Sequence, residues 1–215
     1  MWPSAISNEA VRVAVGLRLG IKICEAHTCS CGQFVDVLGT HSLSCKHAAG
    51  RSARHHNLND VVARALTKAG VPVQKEPLGL VRTDGKRPDG VTLIPWQYGR
   101  CLTWDVTVVN SVASSYLSVS QRQPAGAAEA AAARKESKYS CLQPSYLFQP
   151  IAFETLGSLN ASAVDFVESI GRRLRDLSDD SREASFLFRR LSVCVQRFNS
   201  VILHNGFVVY SCSND

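Results

Sequence analysis

Asp89 follows Pro88 at the mouth of one apolar stretch, and Asp105 lies inside the next, Leu102–Val109. A phosphodiester hydrolase of the carboxylate type holds Mg²⁺, or Mn²⁺, with one or two Asp or Glu residues and leaves the remaining positions to water and the scissile phosphate. With a turn centred near residues 97–98, antiparallel pairing sets Asp89 close to opposite Asp105. Carboxylates at that spacing repel each other unless a cation lies between them. Along the second stretch Trp104, Val106 and Val108 share one face, and Thr103, Asp105 and Thr107 share the other, so Asp105 opposes the apolar side. Taken singly, a turn Asp at 89 and a surface Asp at 105 are ordinary; taken together they have the logic of a metal site.

A cation to steady the attacking hydroxide and the phosphorane charge completes such a site. In the usual D-x-K arrangement it would stand at position 107, which is Thr107. The Ala-rich stretch 125–140 offers Lys135 and Lys138 instead, three residues apart and therefore on neighbouring parts of one helix face. The competing reading is that Arg134, Lys135 and Lys138 form a solvated basic face.

A second group of residues could hold a different metal. Cys29 and Cys31 are followed by His41 and Cys45, a pair of ligands, a loop and another pair, which is how a short chain wraps a tetrahedral Zn²⁺. So small a module lacks a core of its own, and metal binding would supply its folding energy. The C-x-C spacing is tighter than the common C-x2-C, and Cys24, His27 and His47 are alternative ligands. A site closed by four protein ligands is structural, so no chemistry is expected at the zinc.

The elements that must position these residues are legible in outline. Residues 8–22 read as a helix despite a strand-like alternation of valines, and 24–50 as a compact, loop-rich module. Residues 51–69 read as a helix stopped by Gly70, and Val71–Val73 as the start of extended structure. Asp84–Asp89 has the composition of a turn, and strands follow at Val91–Ile94 and Leu102–Val109. Ser111–Gly126 is expected to be a flexible loop before the Ala-rich helix. Helices are expected at about 160–177 and 182–202, then a turn at Asn205-Gly206 into a last apolar run, Phe207–Tyr210.

The chain has 215 residues, 45% of them hydrophobic, enough for a real core and too many for global disorder. No stretch approaches the ~20 apolar residues of a membrane span, and the opening Met1-Trp2-Pro3-Ser4 lacks the features of a secretory signal. A soluble, intracellular protein without a membrane partner is expected. In that setting eight cysteines point to metal binding or burial rather than disulfides. The net charge of +6 fits a polyanionic partner.

Taken in order, Cys29-x-Cys31, His41-x3-Cys45, Arg54-His55-x-Asn57, Lys75-Glu76-Pro77, Arg87-Pro88-Asp89, Trp104-Asp105-Val106-Thr107-Val108 and Lys135-x2-Lys138-Tyr139 resemble the restriction-like endonuclease domain of non-LTR retrotransposon polyproteins, a PD-(D/E)xK-type nuclease preceded by a CCHC zinc knuckle. The match covers about residues 27–140, roughly half of the chain.

The resemblance implies an α/β fold, a mixed sheet flanked by helices, with an N-terminal segment and knuckle (1–50), a nuclease core (51–150) and a helical C-terminal extension packed on it (151–215). It implies Asp89 and Asp105 as metal ligands, Lys135 and then Lys138 as the displaced lysine, and Glu76 as a further metal or general-base carboxylate. Arg54, His55 and Arg87 become phosphate contacts. The expected activity is metal-dependent nicking of double-stranded DNA in the nucleus, exposing a 3′-hydroxyl from which the element's reverse transcriptase primes; element RNA and that polymerase are the further implied partners. The rivals are a catalytically inactive, zinc-stabilised DNA-binding module and a zinc-stabilised protein-interaction domain.

Overall fold

Ser7 accepts a hydrogen bond from the Ala10 N–H and opens α1 (Asn8–Leu19), which Gly20 closes in the left-handed region at φ 63°. The helical period prevails over the valine alternation because Ala10, Val13, Ala14 and Gly16 form a buried stripe. The computed structural model describes residues 6–81 and 85–205. Asp84 of the expected turn, Gly206 and the expected apolar run Phe207–Tyr210 lie outside the described residues.

After α1 the chain makes two short antiparallel strands, β1 (His27–Thr28) and β2 (Phe34–Val35), and one short helix, α2 (Thr40–Ser44). Then α3 (Gly50–Lys68) runs to the expected stop, where Gly70 takes φ 76°. A mixed sheet follows, ordered β3 (Val73–Lys75), β4 (Gly90–Thr92), β5 (Leu102–Val109) and β6 (Leu147–Glu154). Its first three strands are antiparallel neighbours, and β6 lies parallel to β5. Between β5 and β6 stand α4 (Ser114–Ser120) and α5 (Gly126–Lys138), and α6 (Ala161–Ser178) and α7 (Glu183–His204) complete the described chain.

Three sequence expectations shift. The strand expected at Val91–Ile94 ends at Thr92, whose hydroxyl donates to the Ile94 carbonyl and accepts from the Leu102 N–H, pulling the chain out of the ladder. The loop expected at Ser111–Gly126 contains α4, which lies against α5. β6 was not expected at all, and Pro150 in its middle argues against a strand; it is tolerated because β6 is an edge, paired on one side only.

The two faces of the sheet have different partners. Trp104, Val106, Ile151 and Phe153 point into one apolar cluster shared with Leu58, Val62 and Leu66 of α3, Phe166, Val167 and Ile170 of α6, and Leu187 and Leu191 of α7. The helices read as a C-terminal extension thus belong to the same core as the sheet. On the other face Ala128, Ala131 and Ala132 of α5 pack on Ala152. Small side chains let that helix approach closely. A smaller cluster of Val13, Ile23, Leu43, Ile202 and Leu203 fastens α1 and the Cys/His-rich segment to the end of α7. Among the described residues no helix is long and apolar enough to cross a membrane.

Candidate active site and metal centre

Asp105 sits in β5 on the face covered by α5 and is 3% exposed. Its Oδ2 accepts from Lys135 Nζ at 2.5 Å and its Oδ1 from the Tyr139 hydroxyl at 3.1 Å. Lys135 belongs to the last turn of α5, so the helix delivers the amine that strand position 107 lacks. Lys138 Nζ donates to the Tyr139 hydroxyl at 2.8 Å, and that oxygen also lies 2.8 Å from the Arg87 carbonyl. Tyr139 is fully buried and joins the carboxylate, the helix end and the segment before Asp89.

Asp89 arrives from the other side. The register pairs Gly90 with Trp104, which sets Asp89 beside Asp105 as the spacing predicts. Backbone pairing reaches Asp89, whose N–H donates to the Trp104 carbonyl at 2.9 Å. There the side chain takes over from the main chain: Asp89 Oδ2 accepts from the Val106 N–H at 2.6 Å and from His55 Nε2 at 2.9 Å. Its carbonyl accepts from the Asn59 amide at 3.1 Å, and the Asn59 oxygen accepts from the Trp104 indole at 2.8 Å. Gly90 is required by the same indole, because a Cβ there would stand 2.0 Å from Trp104 Cζ2.

The electrostatics follow from burial and crowding. Burial, and then the neighbouring charge of Asp89, push the Asp105 carboxyl above its ordinary value, against the pull of Lys135. His55 is raised by its hydrogen bond to Asp89, against burial, which lowers it. Two carboxylates this close, one of them buried, are a costly arrangement that nearby positive charge relieves, here Lys135 on Asp105 and His55 on Asp89.

The remaining expected residues are placed as follows. Glu76, at φ 49°, stands beside Asp89, whose carbonyl accepts from its N–H at 2.9 Å, but its carboxylate is paired with Arg87. Arg54, expected at a phosphate, is 2% exposed and donates to Asn199 at 2.8 Å. His55, also expected at a phosphate, instead holds Asp89. Sequence reasoning missed Asn59 and gave Tyr139 no role. The signal for Asn59 was its place four residues after His55 on the same helix face.

Two adjoining depressions share Arg51, Thr107 and Val108 and make up one groove; neither is lined by Asp89 or Asp105, but His55 and Lys135, which bond them, line one each. Lys46, Arg51 and His56 line one end, and Arg134, Lys135 and Lys138 the other. The Arg134 guanidinium lies 4.9 Å from the centre of the Tyr116 ring, so α4 holds one of these cations in place.

The Cys/His cluster is assembled by the short pieces before α3. Gly39 at φ 63° turns the chain into α2, which presents His41, and Cys45 follows at its end. Ligand atoms of Cys29, Cys31, His41 and Cys45 all lie within 4.8 Å of one another. Cys31 Sγ is 3.1 Å from His41 Nε2, and Cys29 Sγ is 3.6 Å from Cys45 Sγ. A tetrahedral Zn²⁺ with bonds of about 2.0–2.3 Å needs ligand atoms about 3.3–3.8 Å apart, so the cluster could hold zinc. Burial raises both buried thiols, but at Cys29 the Cys31 backbone N–H, with Cys45, Cys31 and His41, outweighs it and brings the value down to about 6. One thiolate is therefore ready at neutral pH. The alternatives are otherwise engaged: Cys24, packed against Cys29 and Cys45, donates to the Asp36 carbonyl at 3.2 Å, and His27 Nδ1 meets the Glu25 carbonyl at 2.8 Å.

No family model and no curated protein matches the chain.

Proposed function

We propose that the protein is a divalent-metal-dependent DNA endonuclease of the PD-(D/E)xK type with a structural zinc knuckle. The observation that carries the reading is the 2.5 Å contact between Lys135 and Asp105, made from a helix to a strand whose neighbour supplies Asp89. Two carboxylates and one amine converging on a sheet are the minimum set for this hydrolysis. Mg²⁺ bound by Asp89 and Asp105 would lower the pKa of water and draw charge from the scissile phosphate. Lys135 is positioned to stabilise negative charge on the attacking oxygen and the phosphate. His55 and the Val106 N–H fix the Asp89 carboxylate, Asn59 holds the Asp89 carbonyl, and Tyr139 fixes the Asp105 carboxylate. The cation-lined groove suits a DNA backbone. The resemblance to the nuclease domain of non-LTR retrotransposons narrows the role further, to nicking a nuclear target so that reverse transcription can start from the exposed 3′-hydroxyl.

A second reading, a zinc-stabilised DNA-binding module without cleavage, draws on one observation: Glu76, the expected third carboxylate, is paired with Arg87. Nicking of supercoiled plasmid by the full chain separates the two. Relaxation in Mg²⁺ or Mn²⁺, lost on chelation, is expected to fall by about 10³-fold or more in Asp105→Asn and by about 10²-fold in Lys135→Ala. Wild type as inert as both variants, while folded and bound to DNA, would hand the protein to the second reading.

A further inference from the structure

Arg54 carries a charge that the fold leaves unanswered. It lies near the start of α3 and is 2% exposed, and its Nη1 donates to the Asn199 side-chain oxygen at 2.8 Å. Its Nε is buried and has no hydrogen-bond partner. No carboxylate pairs with it among the described residues. Burial lowers the guanidinium only to about 10, so it remains protonated at neutral pH. A cation removed from water without an anion is unfavourable, and a core of this size could hold a neutral side chain instead.

The explanation lies on the other side of Arg54. It lines a depression of about 320 Å³ together with Lys46, Arg51, Ser52, His56 and Thr107. The lining holds no acidic side chain. Three separate segments contribute: Lys46 follows the cluster residue Cys45, Arg51, Ser52 and His56 come from the first turns of α3, and Thr107 stands on β5 beyond Asp105. Lys46, Arg51 and His56 are exposed and make no ion pair among the described residues. α3 also begins without a side-chain cap, which leaves its positive end uncompensated. His55 forms the common wall, lining this depression and bonding Asp89 at 2.9 Å.

We propose that this depression is a phosphate-binding subsite, built to hold a backbone phosphate of a nucleic acid strand next to the two aspartates. Arg54 supplies fixed charge from beneath, and Lys46, Arg51 and His56 close on the ligand from the sides. Donors converging from several directions suit a tetrahedral polyanion better than a planar carboxylate, which a single guanidinium fork would satisfy. Because Lys46 is carried by the Cys/His segment, the metal centre fixes one wall of the subsite. The strand identity rests on the endonuclease reading; the anion site does not.

The test uses the full, zinc-loaded chain without divalent cofactor. Inorganic phosphate is titrated against chloride at matched ionic strength, with the Arg54 Nε–H and His56 ring resonances followed by NMR. A short DNA duplex is then bound by fluorescence anisotropy, with phosphate as competitor. Both resonances are expected to shift, and Arg51→Ala and Lys46→Ala each to weaken phosphate and duplex by about five- to tenfold, lowering the salt slope by about one. Arg54→Met is expected to remove the phosphate response; should that variant not fold, the two surface variants decide. Resonances that ignore phosphate overturn the proposal. So does a duplex affinity unchanged in Arg51→Ala and Lys46→Ala, since phosphate binding alone would make this a free-anion site. Plasmid nicking is scored separately: an inert wild type with the binding results as expected removes the endonuclease reading and leaves the subsite standing.

Discussion

His55 Nε2 and Asp89 Oδ2, 2.9 Å apart, couple protonation to folding. The hydrogen bond to Asp89 raises His55 above its ordinary 6.5, so the protonated imidazole is preferred in the native state. Stability from this contact is fully present below 6.5 and is lost as pH climbs through the raised native value. Urea midpoints from about pH 6 to about pH 9 should therefore fall for wild type, and His55→Gln should lose that part of the slope. An unchanged slope in the variant would place the titration elsewhere. At this scale the sequence was informative about which atoms matter and less so about what they touch. Asp89 and Asp105 follow from strand spacing and one turn. The motif marks His55 and Arg54 as phosphate contacts but carries no burial: the helix sets His55 on Asp89 and sinks Arg54 to 2% exposure beneath the depression that both line.

Among the elements, α5 has the most demanding position. Ala128, Ala131 and Ala132 lie flat on Ala152, and only that approach lets Lys135 reach Asp105. Ala128→Leu, at a position 0% exposed, should cost about 1–3 kcal/mol by overpacking. It should also reduce nicking far more than stability, because it lifts the amine from the carboxylate. Urea unfolding beside the plasmid assay checks this; equal, small losses in both would mean that the helix seats itself without the alanines. The alanine run made α5 easy to read, since helix propensity and small size coincide. β6 was illegible because Pro150 and Gln149 interrupt its apolar pattern, and only its place at the sheet edge makes them acceptable. The segment Ser114–Ser120 offers only Tyr116 and Val119 on one side within seven residues, too short a pattern to read, so α4 is recognised by its contact with α5.

For the whole molecule, the Cys/His segment is fastened to the far end of the chain through Leu43, Ile23, Ile202 and Leu203. Removing zinc should loosen that corner and leave the central core intact, because no residue of the segment belongs to the larger cluster. Chelation, or Cys45→Ser, is expected to lower the thermal midpoint by about 5–10 °C, equivalent to a few kcal/mol for a chain of this size. Co²⁺ substitution should give the absorption of a tetrahedral thiolate site. A protein purified without stoichiometric metal, and indifferent to chelation, would remove zinc from the account. At this scale the α/β class and the order of most elements were legible from periodicity. That α6 and α7 help build the core under the sheet was not, since an amphipathic helix announces that it packs but not against what.

Glu154, at the end of β6, is 5% exposed and accepts from the N–H groups of Ala127 and Ala128 at 3.0 and 3.2 Å, while Ser111 donates to its other oxygen at 3.0 Å. The first turn of α5 is thus anchored to the sheet, and its last turn to Asp105. Neither anchor passes through the exposed residues Gln121–Pro124 that lead into the helix. The length of that connection is consequently free to drift over evolutionary time while the lysine stays in place. A few Gly and Ser residues inserted between Gln123 and Pro124 should leave plasmid nicking within about twofold of wild type. Distant homologues that share this anchoring would differ widely in the interval between aspartate and lysine, and a search that fixes that interval would pass over them.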